Sequence, residues 1–175
     1  MGITHFDEAP AREFAVGHIQ GRWSQLGAAA GSVGVGLRRM QLPPGAWSTP
    51  AHEHGAEEEI FYVLGGRGLS WQKGRTAEVA EGDCIVYLAG AGAHTLHAVE
   101  PLDVLAFGPR IREETARFPR LGMSLIGNRA VESVPGSVDG VPIQFVREAE
   151  LGPPELSDPG ERPPTIVNLG SLEPR

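Results

Sequence analysis

Residues 45–66 read GAWSTPAHEHGAEEEIFYVLGG, and this stretch decides the fold. Its second half, EEIFYVL at 58–64, is the strongest strand signal in the chain, because aromatic and branched side chains favour extended backbone. Two glycines end that strand. Before it, His52 and His54 are separated by one residue, and a glycine then permits a turn. The stretch therefore predicts adjacent extended segments with polar side chains at their junction.

Strand-like segments continue on both sides of this stretch. Six more are bounded by glycine, proline or turn residues: Val33–Leu42, Leu69–Gln72, Thr76–Ala80, Cys84–Leu88, His94–Val99 and Val104–Phe107. With 24 glycines and 15 prolines among 175 residues, the chain is too interrupted for a long helical bundle. Short strands at this spacing predict an all-β sandwich or small barrel.

The chain is long enough for one domain, and we expect that domain to be divided unevenly. Residues 1–32 are predicted as a lead-in of loop structure, and residues 33–108 as the barrel. Residues 109–175 are predicted as a C-terminal extension that packs on the barrel or on a partner chain. Within this extension, 110–118 (RIREETARF) is predicted as a short helix.

Composition excludes several classes of function. The net charge of −7 and the pI near 5.3 give no basic surface for nucleic acid or an anionic membrane. The single cysteine, Cys84, excludes an internal disulfide framework. No leader pattern and no apolar run approaching eighteen residues is present. These features predict a cytoplasmic location.

The histidine pair His52 and His54 is the strongest indication of a metal site in the sequence. In extended backbone, residues two apart project from the same face, so His52 and His54 can reach one point. The carboxylates Glu57–Glu59 open the next strand, and His94 follows a later glycine-containing turn. Two imidazoles and a carboxylate from adjacent strands suit a divalent transition metal, with His94 as the natural fourth ligand.

These residues resemble the cupins, a superfamily of small jelly-roll β-barrels. The first cupin motif contains a glycine, His-x-His, a glutamate and a later glycine. Here His52, His54, Glu59 and Gly66 match it, while Glu58 with Gly65 fits the spacing equally well. The second motif begins at a Gly-Asp turn and ends on a histidine, which His94 matches.

The resemblance implies a metal bound by His52, His54, Glu59 and His94. Glu59 is preferred over Glu58 because family sequences with this strand generally place the metal on the second glutamate. His97 competes with His94, and the two would face opposite sides of a strand. The sequence of the chain also resembles the N-terminal half of two-barrel bacterial cupins of unassigned function.

A substrate pocket beside this metal is expected to be mostly apolar. Phe61 and Val63 share the face of the second glutamate, and Leu96 shares that of the later histidine. Arg39, or Arg38, could anchor a substrate carboxylate, because a guanidinium group binds that shape through two parallel hydrogen bonds.

The resemblance implies one Mn, Fe, Ni or Zn ion, and a metal-dependent enzyme acting on a small oxygenated metabolite. Dioxygenase, isomerase and lyase chemistry are all compatible with such a ligand set. The alternatives are a non-catalytic module that binds a small molecule, and a half-barrel that needs a partner barrel. A homodimer is also expected, because small cupins commonly pair through exposed sheet surface.

Overall fold

A computed structural model describes residues 2–126, 129–130, 137–138 and 140–171. The strands in these residues are β1 (Ala11–Val16), β2 (Ile19–Ser24), β3 (Val35–Leu42), β4 (Glu53–His54), β5 (Glu59–Gly65), β6 (Arg67–Gln72), β7 (Arg75–Ala80), β8 (Asp83–Tyr87), β9 (His94–Ala98), β10 (Leu102–Pro109), β11 (Thr115–Phe118), β12 (Met123–Ile126), β13 (Arg129–Ala130), β14 (Ser137–Val138), β15 (Val141–Pro142) and β16 (Ile166–Asn168). The helices are α1 (Leu26–Ala29) and α2 (Ile143–Leu151), with 3-10 turns at Pro119–Leu121 and Leu169–Ser171.

Two antiparallel layers form the body of the fold. The first is a seven-stranded sheet in the order β1-β2-β3-β10-β5-β8-β16. The second layer contains the ladder β7-β6-β9 and the ladder β13-β12-β11-β4. The segment 45–54 joins these two ladders, since it exchanges backbone hydrogen bonds with β9 at His52 and His94. A separate hairpin pairs β14 with β15.

The core lies between the two layers. Strand β5 alternates buried and partly exposed residues, so Phe61 and Val63 point inward from the first sheet. They meet Leu96 and Ala98 from β9 of the second layer in one apolar cluster. Antiparallel sheets packed in this way confirm the all-β fold that the strand pattern predicts and are consistent with the jelly-roll barrel that the resemblance implies.

All seven strands predicted between residues 33 and 108 are present, with ends within two residues of the expected ones. The loop prediction for residues 1–32 is wrong, because β1 and β2 extend the first sheet beyond β3. The helix prediction for 110–118 is wrong as well. Residues Ala116 and Arg117 of β11 pair with β4. Pairing with that otherwise open edge overrides the local helical preference.

The C-terminal segment runs across the barrel. Residue Phe145 of α2 is buried, and its ring lies 5.3 Å from that of Phe14. The extended chain after α2 accepts a hydrogen bond from Trp71 Nε1 at the Glu155 carbonyl, 3.1 Å away. Strand β16 then pairs with β8. The division into three segments at 32 and 108 stays a prediction.

A buried carboxylate holds this segment to the Gly-Asp turn. Asp83 is fully buried and accepts two hydrogen bonds from the guanidinium of Arg162, at 2.7 and 2.8 Å. The Asn168 amide donates to the same carboxylate at 2.9 Å. In the residues described, no helix combines the length and apolar character required to cross a membrane.

Candidate metal centre

Four side chains converge at one end of the barrel. The Nε2 atoms of His52, His54 and His94 lie 3.8, 3.7 and 3.2 Å from the same atom, Oε2 of Glu59. One ligand atom from each of the four residues lies within 4.8 Å of the others. Glu58, the alternative carboxylate, is exposed. The structure therefore assembles three imidazoles and one carboxylate in a group that could hold a metal.

Backbone pairing explains why these residues meet. His52 and His94 form an antiparallel bridge with hydrogen bonds of 2.9 and 3.2 Å, which places their rings 4.9 Å apart. His54 is two residues after His52 in extended backbone and projects to the same side. Glu59 begins β5 in the first sheet and reaches across to them. The group thus lies between the two layers.

Two of the histidines have an Nε2 atom that lies too far from Glu59 for a hydrogen bond and is available to a metal. His54 Nε2 is buried and has no hydrogen-bond partner in the described part of the chain, because 3.7 Å to Glu59 is too long. The Nδ1 atom of His52 lies 2.9 Å from the Pro50 carbonyl. A hydrogen bond there fixes the proton on Nδ1 and leaves the Nε2 lone pair free for an ion.

The ionisation states of His52 and Glu59 also suit a metal. Burial, followed by charge repulsion between its imidazole and that of His94, lowers the pKa of His52 to about 3, so this imidazole is neutral at pH 7. Burial alone would raise the pKa of Glu59, but the surrounding imidazoles hold it well below its usual range. Burial lowers the pKa of His54, and the nearby carboxylates more than reverse that effect. A neutral imidazole and an ionised carboxylate are the forms that bind metal.

Glu114 supports the group from outside it. This carboxylate is buried and accepts backbone hydrogen bonds from Gly55 at 2.7 Å, Ala56 at 3.0 Å and Glu57 at 2.9 Å. Its Oε1 atom also lies 3.4 Å from His54 Nδ1. A carboxylate on the remote nitrogen of a ligating histidine orients the ring and raises its basicity.

Aromatic rings hold two of the histidines in place. The ring of Tyr87 stacks on His94 with centroids 3.9 Å apart and planes 8° from parallel. The Tyr87 hydroxyl lies 2.7 Å from the Ser70 hydroxyl. Phe118 stacks on His52 at 5.8 Å. These contacts restrict ring rotation, which favours a preformed group.

A cavity of about 750 Å³ opens beside His54 and Glu59. It is charged rather than mostly apolar as expected from the sequence. The charged residues that line it are Arg38, Glu57, Glu58, Glu59, Arg110, Arg112 and Glu114.

The residues expected to form a substrate pocket lie elsewhere. Phe61, Val63 and Leu96 are buried in the apolar cluster and do not line this cavity. Arg39 pairs with Asp103 through contacts of 2.6 to 3.2 Å and is likewise absent from the cavity lining. The role of these four residues toward a substrate stays a prediction.

His97, the competitor of His94, lies apart from the group. It faces the other side of β9, where its ring is 4.9 Å from that of Trp47. Sequence reasoning did not find Glu114. A glutamate in RIREETARF carries no local signal for its role, since its contacts are with residues more than fifty positions earlier.

A family model and several solved structures resemble this chain over the barrel. Residues 38–108 match the family model of the cupin domain. No curated protein matches the chain significantly.

Three solved structures illustrate the likeness. A proposed sugar phosphate isomerase from Acidithiobacillus ferrooxidans ATCC 23270 has 26% identity and a TM-score of 0.64, covering 71% of this chain and 85% of that chain. A sugar phosphate isomerase of the cupin superfamily from Silicibacter pomeroyi DSS-3 has 24% identity and a TM-score of 0.64, covering 79% and 94%. The polyketide cyclase RemF from Streptomyces resistomycificus has 24% identity and a TM-score of 0.52, covering 62% and 79%.

The family match lies on the strands that carry the His/Glu group, and the structural neighbours share the same fold. On these grounds residues 38–108 carry a cupin domain, and the chain shares its all-β fold with these solved structures.

Proposed function

We propose that this protein is a metal-dependent enzyme acting on a small oxygenated metabolite. One observation carries the proposal: three histidine Nε2 atoms surround one carboxylate oxygen of Glu59 at the edge of a cavity. His52, His54, Glu59 and His94 would hold a single Mn, Fe, Ni or Zn ion. Four protein ligands leave coordination positions open on a six-coordinate ion.

When bound, such an ion polarises a carbonyl oxygen or stabilises an enolate, and, if it is iron, it can also bind oxygen. The protein supplies the arrangement around it. Hydrogen bonding at His52 Nδ1 keeps Nε2 unprotonated. At His54 the Glu114 carboxylate lies 3.4 Å from Nδ1 without a hydrogen bond, and its charge favours a proton on that nitrogen. The cavity offers charged groups to a polar substrate.

Isomerase chemistry is the activity that we would test first. Support comes from the Acidithiobacillus ferrooxidans protein, a proposed sugar phosphate isomerase with 26% identity. An isomerisation through an enolate needs a polarised carbonyl oxygen and no oxidant. The proposal also includes dioxygenase and lyase chemistry. Oxygen uptake by the iron-loaded protein would distinguish a dioxygenase from an isomerase or a lyase.

Metal analysis tests the ligand set. We expect about one ion per chain after loading with Mn, Fe, Ni or Zn, and a strong loss of metal in His94→Ala. His97→Ala is the matched control, because it removes an imidazole from the opposite face of the same strand. Metal retained in His94→Ala and lost in His97→Ala would overturn the assignment.

Activity is then measured on a panel of aldose and ketose phosphates, diols and enols. Turnover that depends on added metal supports an enzyme. Tight binding without turnover would instead favour the non-catalytic module. A cytoplasmic homodimer is part of the proposal, and analytical ultracentrifugation tests its oligomeric state.

A further inference from the structure

Arg38 points into the barrel beside the proposed metal centre. On β3 it pairs with Ala106 of β10, which pairs with Phe61 of β5, and both of these residues are buried. Glu59 is two residues before Phe61 and projects from the same face. Arg39 projects from the opposite face and pairs with Asp103. Strand alternation therefore separates two neighbouring arginines into different environments.

The guanidinium of Arg38 lies against an aromatic ring and forms no close ion pair within the described residues. Its central carbon lies 4.8 Å from the ring centroid of Trp23. Its Nε atom is buried without a hydrogen-bond partner, and no carboxylate among the described residues forms an ion pair with it. Burial and the nearby Arg110 lower the pKa of Arg38, and the charge of Glu59 opposes this from beyond ion-pair distance, so an additional anion beside the guanidinium would be stabilised.

The carboxylates that line the same cavity are mostly engaged elsewhere. Glu59 faces the three imidazoles, and Glu114 accepts three backbone N–H groups. Glu57 accepts a hydrogen bond from the backbone of Ile111. Glu58 is exposed to solvent. The Arg38 guanidinium thus keeps donors available for a ligand that enters the cavity.

We propose that Arg38 binds an oxyanion group of the substrate, a carboxylate or a phosphate, while an ion held by His52, His54, Glu59 and His94 would bind another oxygen atom of the same molecule. The second half of this statement rests on the proposed function; the first half stands on Arg38 alone. A guanidinium presents parallel N–H donors that match either anion, and the contact with the Trp23 ring restricts where those donors can lie. A cavity of about 750 Å³ accommodates a small metabolite that spans both points.

The test measures anion binding directly. Inorganic phosphate and acetate are titrated separately into the protein at constant ionic strength, and the Arg38 Nε–H resonance is followed by NMR. We expect a saturable shift with at least one of the two anions, and a loss of affinity of about tenfold or more in Arg38→Gln. The anion that binds more tightly identifies the group that the substrate carries.

Two further variants keep the result interpretable. Arg67→Gln removes the same charge from an exposed side chain that pairs with Glu100, and it should bind both anions as the wild type does. Arg38→Lys retains the charge without the fork, and we expect intermediate affinity. It also provides a folded comparison if Arg38→Gln does not fold.

Equal anion affinity in wild type, Arg38→Gln and Arg38→Lys would overturn the proposal, as would the absence of saturable binding of either anion. The titrations are run on metal-free and on zinc-loaded protein. Failure to bind metal would defeat the proposed function and leave the metal-free titration intact. Failure of the anion titrations would leave the metal centre unaffected.

Discussion

Replacement of Glu114 by glutamine tests how the metal-binding turn is held. The carboxylate accepts three backbone N–H groups, one on Oε1 from Gly55 and two on Oε2 from Ala56 and Glu57. Glutamine keeps one oxygen and replaces the other with a donor. The variant therefore loses one or two of these hydrogen bonds, and it turns an N–H donor toward an N–H donor.

The structure sets the expected magnitude. Hydrogen bonds to a charged acceptor contribute about 1.5–3 kcal/mol each, and Gly55 and Ala56 are exposed, so water replaces part of the loss. We expect Glu114→Gln to lower the free energy of unfolding by roughly 1.5–3 kcal/mol. Because Oε1 also lies beside His54 Nδ1, zinc affinity should fall by about 10- to 100-fold.

Two measurements separate these effects. Urea unfolding of the metal-free protein gives the stability change, and zinc titration against a competing chelator gives the affinity. Glu113→Gln is the matched control, because Glu113 is the adjacent residue, carries the same charge as Glu114 and is exposed to solvent. Zinc affinity within twofold of wild type in Glu114→Gln would refute the orienting role. An unchanged unfolding midpoint would refute the hydrogen-bond reasoning itself.

Three other predictions concern the rest of the barrel. Burial lowers the pKa of His97, so the free energy of unfolding should fall as the pH drops below about 6.5. In urea unfolding, His97→Gln should show a weaker dependence of that free energy on pH. The same pH dependence in both proteins would count against the prediction. Gly66→Ala should cost at least about 2 kcal/mol, because φ is +86° and the new Cβ would overlap the Pro101 carbonyl. Gly65→Ala, which has open space, serves as its control, and equal denaturation midpoints would contradict the steric argument. Burial raises the pKa of Cys84, so at pH 8 its reaction with a disulfide reagent should be slower than that of free cysteine, and an equal rate would oppose this.

Strand content was predictable because its signal is local. Residues 58–64 combine branched and aromatic side chains with a glycine stop, and the observed strand β5 covers 59–65. Strands β1 and β11 were not predictable in the same way. Each exists because a neighbouring edge accepts its backbone, β2 in one case and β4 in the other. Edge pairing depends on where distant segments lie.

The candidate site shows the same division. His52 and His54 could be placed on one side from their spacing alone. The choice between Glu58 and Glu59 could not, because both faces of that strand are apolar in sequence, and the structure brings Glu59 to the histidines. The hydrogen bonds that Glu114 accepts could not be predicted from the sequence, because their donors, residues 55–57, lie far earlier in the chain.

By itself, the sequence determined the class of fold and placed two histidines on one side of a strand, since strand propensity, turns and the His-x-His spacing act over a few residues. The tertiary structure decided which side of β3 faces the cavity, and so distinguished Arg38 from Arg39. It also decided that Glu57 and Glu114 accept backbone hydrogen bonds, while the buried Nε of Arg38 has no hydrogen-bond partner among the described residues. These outcomes depend on the packing of two sheets, which brings together residues that are far apart in the chain.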